Sequence, residues 1–445
     1  MMDQYTFTSE RVDDKSIGKF ILACVFLSIR LAEAKSLLVG AAMTERTALI
    51  IEPLFSGHHS AYLQWIIPAL RAEGFRILLA TSEENVEHPG ARALLAQHGE
   101  YVELEPLPAR SPLRWLPQKL RPVEIIIAYW WAFRRAFKRA NRHRIDLVLL
   151  PYLDYCTYAL ALLGSPFSTV RWCGIVMRPA FHYARMGIKA PHKPWDQWKQ
   201  YLFLRLLGER SLGRLLTIDE SLYLTLQEQS PLAASRLNYL PDPVSNHVAL
   251  DWRAACATLK IPDEACVILC FGSLTARKGV AELLRAANEP AFPAKIHLLF
   301  AGKQHDEIRS LLASDLGSSL RRRGVLHEID HHLTQDEESL VFAASDLVWM
   351  GYVGHYQMSG VLAQSGAAGL PVIACQEGLI GWLTKRHQSG IVVPVSHAAE
   401  VAETIATLVS APDEMERLGS NGRTAFAAHT IDNAQATLRS AIGGC

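Results

Sequence analysis

Residues 270–287 read CFGSLTARKGVAELLRAA. The stretch is the end of an apolar strand, a short turn carrying Arg277 and Lys278, and then an amphipathic helix. A glycine and two adjacent cations at a helix mouth suit a negative group, because the first N–H groups of a helix point outward without partners.

The same grammar extends on both sides. Downstream, KIHLLFAGK (295–303) is a strand, ESLVFAASD (338–346) a helix, LVWMGY (347–352) a strand, MSGVLAQSGAAG (358–369) a helix and PVIAC (371–375) a strand. Upstream, TALIIEPLF (47–55) is the near-continuous apolar run of a parallel strand buried on both faces. The turn SGHHSAY follows, then a helix with Leu63, Ile66, Ile67 and Leu70 on one side, stopped by Gly74. FRILLATS (75–82) completes a βαβ unit, and IDLVLLPYLD (145–154) is another buried strand, ending in Asp154. Two blocks of alternating strands and helices predict an α/β chain of two Rossmann-like domains. Prolines and polar residues in LPDPVSNHV (240–248) mark the seam. In such sheets ligands bind beyond the carboxyl ends of the strands, so the turns Phe55–Ser60 and Gly272–Gly279 are expected to face a shared cleft.

The bulk numbers agree. A chain of 445 residues exceeds one ordinary core, and 49% hydrophobic with 20% charged residues describes a globular protein. Net charge of +1 exerts no global pull on nucleic acid. The eight cysteines contain no C-x-x-C pair and mostly sit in apolar runs; Cys375 after PVIA reads as core. That pattern favours a reducing compartment, such as the cytoplasm, over disulfides or a zinc site. Residues 17–34, IGKFILACVFLSIRLAEA, mimic a signal peptide, but Asp13, Asp14 and Arg30 break the pattern, and the apolar run is too short to span a bilayer. Residues 1–43 are therefore read as a leader of unclear role, with Met43 just ahead of the first strand.

The motifs together resemble glycosyltransferase family 4, the large retaining family of GT-B fold. FGSLTARKGVAELLRAA is similar to its G-R-L-x-x-x-K-G turn, and SGVLAQSGAAGLPVIAC (359–375) to its signature E-x-F-G-L-x-x-x-E-A-M-A-A-G-x-P-V-I-A. GLIGWLTKRHQSGIVVP (378–394) looks like the segment that follows. FSGHHSAYLQWIIPALRAEG (55–74) resembles the opening glycine loop and helix, and LGSNGRTAFAAHTIDNAQATL (418–438) the closing helices. The likeness runs in order over residues 47–440 and is weakest between 100 and 215. It implies an acceptor domain over 44–245, a nucleotide-sugar donor domain over 246–425, and a C-terminal helix over 426–445 packing back on the first domain.

The resemblance further implies sugar transfer from a nucleotide donor with retention, to a glycan or lipid-linked acceptor. Lys278 matches the lysine placed on the donor diphosphate. The family's arginine falls on Ser273, with Arg277 next to the lysine as a substitute, and Gly272 opens the turn. The two signature glutamates, which in the family meet the sugar and the ribose, fall on Tyr356 and Gln364. Gln364 can still hydrogen-bond a diol, whereas Tyr356 cannot replace a carboxylate. Ser359 is expected to cap the helix 359–368, leaving Gly360 and its neighbours to offer N–H groups to a phosphate.

If the chain is an enzyme, a fixed cation aimed at the departing diphosphate stabilises the transition state more than the ground state. The leaving phosphate can take the acceptor's proton, and with no Asp-x-Asp in the sequence no metal is expected. Candidate residues beyond the turn are His58 and Asp154 for catalysis, and Gly57, His59 and His182 for the acceptor. Each has a plainer reading, as turn, helix cap or packed histidine.

Residues 110–144 hold ten Lys and Arg (Arg110, Arg114, Lys119, Arg121, Arg134, Arg135, Lys138, Arg139, Arg142, Arg144) against Glu124, interleaved with Trp115, Trp130, Trp131, Phe133 and Phe137. The segment reads either as a helix lying on an anionic membrane surface or as a solvated basic face whose aromatics pack on the sheet. The leading reading is a membrane-peripheral glycosyltransferase. A catalytically silent nucleotide- or glycan-binding scaffold and a sugar-nucleotide epimerase are the alternatives.

Overall fold

The computed structural model describes residues 46–55, 58–107, 121–244 and 250–443, without the side chains of His58 and residues 121–125. The leader 1–43, Gly57, the His58 side chain, residues 110–120 of the basic segment and part of the seam therefore lie outside the described residues.

The first lobe is a parallel sheet of strands β1 (Arg46–Ile51), β2 (Phe75–Ser82), β3 (Val102–Leu107), β4 (Ile145–Leu150), β5 (Arg171–Val176), β6 (Leu212–Thr217) and β7 (Leu237–Tyr239), in the order β3-β2-β1-β4-β5-β6-β7. The helices the argument needs are α1 (His58–Ala72), α2 (Arg121–Ala140), α3 (Thr157–Leu163) and α4 (Asp196–Leu207). β1 shows why its run is apolar throughout. Ala48 and Ile50 join the core beneath α1, while Leu49 and Ile51 join the opposite core beneath α2, α3 and α4. A strand covered on both faces has no polar face to keep.

The second lobe repeats the plan with β8 (Cys266–Phe271), β9 (Ile296–Ala301), β10 (Leu326–Ile329), β11 (Leu347–Met350), β12 (Val372–Cys375) and β13 (Gly390–Val393), in the order β10-β9-β8-β11-β12-β13. Helix α5 (Val280–Ala287) follows β8, α6 (Gln335–Ala343) follows β10 and α7 (Gly360–Ala368) follows β11. In both sheets the strand order reverses once, between β1 and β4 and between β8 and β11. Each reversal opens a crevice at the strands' carboxyl ends.

The last helix, α8 (Ile431–Gly443), returns to the first lobe, burying Ala434, Leu438, Ala441 and Ile442 in the core beneath α1. Gln435 Nε2 donates to the Trp65 carbonyl at 3.2 Å. The lobes also bond directly: Gly378 N donates to Lys189 O at 2.8 Å, Trp382 Nε1 to Met186 O at 3.0 Å, and Arg386 and His387 both reach Glu220.

The described part of the basic segment, α2, buries Trp130, Phe133 and Phe137 against the sheet. Arg139 and Arg142 pair with Glu105 of β3. The packed-face reading accounts for these five residues, and Trp131 is left exposed.

Candidate functional site

A cavity of about 460 Å3 lies where the strand ends of the two lobes meet the segment joining them. The second lobe lends it Arg277 and Lys278 after β8, Tyr352 and His355 after β11, Ser359, Gly360 and Gln364 at the start of α7, and Glu338 of α6. Tyr62 of α1 and Arg178 beyond β5 come from the first lobe, and Asp242 comes from the joining segment.

The turn after β8 is shaped by two glycines. Gly279 has φ of 68°, and a Cβ there would lie 1.9 Å from the Gly351 carbonyl, so only glycine lets the turn touch the loop after β11. Gly272 has φ of 100°, and a Cβ there would come within 3.3 Å of Lys278 Nζ. Lys278 is thereby tucked inward. Its buried ammonium donates to the Tyr352 hydroxyl, whose oxygen sits 3.4 Å from Ser359 Oγ.

Three cations converge on the cavity, and no carboxylate pairs with Arg178, Arg277 or Lys278 among the described residues. Their field is visible on His355. Burial pushes its imidazole down to about 4, and Arg277, Lys278 and Arg178 push the same way. A buried ammonium without a counter-charge is costly, and an anionic ligand removes that cost. Asp242 lies across from them. Burial pushes its carboxyl up to about 6, against the hydrogen bond Tyr62 Oη donates at 2.5 Å.

Six of the expected residues reach or frame this cavity. Arg277, Lys278, Ser359, Gly360 and Gln364 line it, and Gly272 underlies it. Others do not. Ser273 points outward, 3.3 Å from His305 Nε2. Tyr356 packs half-buried on the core, with its carbonyl accepting from Leu379 N. Ser359 holds the N-cap position of α7, but its hydroxyl makes no capping hydrogen bond, being turned to Tyr352 instead.

His182 is fully buried, with Nε2 2.8 Å from Ser221 Oγ and 3.5 Å from Asp219 Oδ2; it has no exposed atom for an acceptor. His59 is buried against Glu52, Nδ1 to Oε1 3.1 Å, and is likewise packed. Asp154 accepts from Met177 N at 2.9 Å and Arg178 N at 2.7 Å, clamping the loop that carries Arg178. Burial pushes its carboxyl up to about 6, opposed by those N–H donors. It lines a smaller cavity of about 240 Å3 with Tyr152, Tyr155 and Tyr158, which shares Arg178 with the first.

Sequence reading missed Tyr62, Arg178, Asp242, Glu338, Tyr352 and His355. A signal existed for some of them. Tyr352 closes the quoted strand LVWMGY, Arg178 stands beside His182 in MRPAFHY, and Asp242 lies in the quoted seam. For Tyr62 and Glu338, as for those, only the tertiary fold brings the side chain to the cavity.

Residues 265–411 match the family described as glycosyl transferases group 1. The second lobe carries the likeness to the group 1 glycosyltransferases. The lipopolysaccharide core biosynthesis glycosyltransferase LpsE of Rhizobium meliloti is 29% identical over 167 residues, covering 37% of this chain and 46% of LpsE. The chain thus spans just under half the length of that relative. Among solved structures, sucrose-phosphate synthase from Thermosynechococcus elongatus superposes with a TM-score of 0.63 at 15% identity, over 89% of this chain and 98% of the other. Anabaena HepE in complex with UDP and glucose superposes with a TM-score of 0.61 at 14% identity, over 90% and 100%. These likenesses establish the GT-B fold, so the cavity lies between the two lobes of that fold, with Arg277 and Lys278 of the second lobe and Arg178 of the first as its cations. Among the described residues no three His, Cys, Asp or Glu side chains gather as metal ligands.

Proposed function

We propose that the chain transfers a sugar from a nucleotide-sugar donor to a glycan or lipid-linked acceptor, with retention at the anomeric carbon and without a metal ion. The observation that carries the reading is the pair Arg277 and Lys278, unpaired with any carboxylate among the described residues and facing a cavity beside the start of α7. Charge of that sign in a partly buried site stabilises a departing diphosphate. HepE, solved with UDP, supports the donor class, and LpsE supports a lipopolysaccharide-type acceptor.

In the reaction, the bond from the anomeric carbon to the diphosphate oxygen breaks and a bond to the acceptor oxygen forms. The acceptor's proton passes to the leaving phosphate on the same face of the sugar. Lys278 and Arg277 hold the diphosphate, Arg178 reaches the reacting region from the first lobe, and the tyrosine-walled cavity around Asp154 receives the acceptor. Work at an anionic membrane surface fits the exposed aromatics Trp195, Trp198 and Tyr201 of the α4 region, flanked by Lys193 and Lys199. Among the described residues no helix is long and apolar enough to cross a membrane.

The test is the melting temperature of the full chain with UDP, GDP, ADP and TDP, alone and as sugar conjugates. Ligand at 100 times its Kd stabilises by about 2.7 kcal/mol. The expected result is a clear shift with one nucleotide, lost in Lys278→Ala, together with turnover of the matching nucleotide sugar. A shift without turnover supports the scaffold alternative, and no shift with any nucleotide removes the donor site.

A further inference from the structure

Two carboxylates in this cavity are not explained by a diphosphate, and whereas Asp242 takes the Tyr62 hydrogen bond, Glu338 takes none among the described residues. It stands in the first turns of α6, where Thr334 and Glu337 form a reciprocal cap and Glu337 also meets His331 at 2.8 Å. Asp336 beside them is exposed. The favourable placement of acids at a helix start is thus already served by Asp336 and Glu337 at the surface. Glu338 instead lines the cavity, half-buried. No hydrogen bond or ion pair to its carboxylate occurs among the described residues, and burial alone pushes the carboxyl up. A carboxylate withdrawn from water without donors is unfavourable, and nothing among the described residues offsets it.

A ligand that satisfies Glu338 must present donors to it, because an ionised carboxylate only accepts. It must also place its own negative charge elsewhere, since a phosphate against Glu338 would be repelled. A nucleoside diphosphate divides in that way. Its phosphates suit Arg277 and Lys278, and its ribose carries two adjacent hydroxyls whose protons match the two oxygens of one carboxylate. α6 packs beside α7, and Gln364 of α7, four residues past Gly360 and so about 6 Å along the helix, lines the same cavity.

We propose that Glu338 reads the ribose of the donor nucleotide. Its carboxylate accepts from the 2′- and 3′-hydroxyls, and Gln364 beside it supplies a neutral second contact. Glu338 then sets the preference for ribonucleotides over 2′-deoxynucleotides. The inference rests on the nucleotide-sugar reading above.

The experiment titrates the full chain, as wild type, Glu338→Gln and Glu338→Ala, with UDP, GDP and ADP and with the 2′-deoxy form of each. Wild type is expected to bind its preferred ribonucleotide at least tenfold more tightly than the 2′-deoxy form. Glu338→Gln and Glu338→Ala should bind the two forms within about threefold of each other, with the 2′-deoxy form, which has only its 3′-hydroxyl to lose as a contact, weakened less than the ribonucleotide. Retained affinity for the deoxy form also shows that the variants are folded. Equal binding of both forms by wild type overturns the proposal, as does discrimination that persists in both variants. A changed base preference with ribose discrimination intact overturns it too, moving Glu338 to the base. Failure of wild type to bind any of the ribonucleotides is a different result, since it overturns the donor reading itself.

Discussion

At Asp242 one side chain ties the joining segment to both lobes. Its carboxyl accepts from Tyr62 of α1, its backbone carbonyl meets His429 Nδ1 at 3.0 Å, and Oδ2 would lie 3.6 Å from a Cβ on Gly360. Burial raises its pKa from 3.8 to about 6. The folded state therefore holds this proton more tightly than the unfolded state. Between about pH 4 and 6 the stability it contributes falls as pH rises, and above 6 the full cost of the buried charge is present. At 1.36 kcal/mol per unit that cost is at most about 3 kcal/mol. Asp242→Asn keeps an acceptor for Tyr62 and has no charge. Its melting temperature should match or exceed wild type at pH 7.5 and vary less between pH 4 and 6. Parallel curves for the two proteins would contradict this account. Asp154, also raised to about 6, leaves a residual slope in both.

The turn between β8 and α5 is the element on which the cationic wall depends. Its helix start and its lysine were legible from residues 270–287, because apolar run, glycine and amphipathic spacing are local features. That Lys278 turns inward was not legible, because it follows from contact with Tyr352 and Gly351 on the loop after β11. Gly279→Ala tests this directly. The new Cβ meets a carbonyl at 1.9 Å in addition to a positive φ, and the loss of stability should be about 2–4 kcal/mol. Gly324→Ala has a similar φ of 73° with nothing within 4 Å of its Cβ, and should lose only about 1 kcal/mol. Denaturant midpoints of the two variants measure the difference, and equal losses would show that the close approach to Gly351 is unimportant.

At the scale of the whole molecule, α2, α3 and α4 cover one face of the first sheet, and their outer surface is unusually apolar. Trp131, Leu162, Leu163, Trp195, Trp198 and Tyr201 are exposed there, Trp195 by 70%, Tyr201 by 59% and Trp198 by 53%. Indole and phenol rings next to lysines and arginines suit the headgroup region of a bilayer. The full chain should co-sediment with phosphatidylglycerol vesicles, less so at high salt, and weakly with phosphatidylcholine alone. Replacing Trp195 and Trp198 by Ser should lower the bound fraction severalfold while leaving nucleotide binding intact. Unchanged binding to the anionic vesicles would exclude α4 as the contact.

The sequence by itself determined the alternation of buried strands and helices, the two lobes and the place of the turn that carries Arg277 and Lys278. Each of these is written in local periodicity, in runs such as TALIIEPLF and CVILCF and in glycines at helix mouths. It also carried the order of motifs that resembles a glycosyltransferase family. Only the tertiary structure decided which polar residues share the cavity. It withdrew His182 and His59 into packed contacts, turned Ser273 and Tyr356 away, and brought Tyr62, Arg178, Asp242 and Glu338 together from four distant segments. The physical reason is range. A strand or a turn is specified by neighbours a few residues away, whereas a site at the meeting of two sheets is assembled by crossovers and by the packing of one lobe on the other, which no local pattern records.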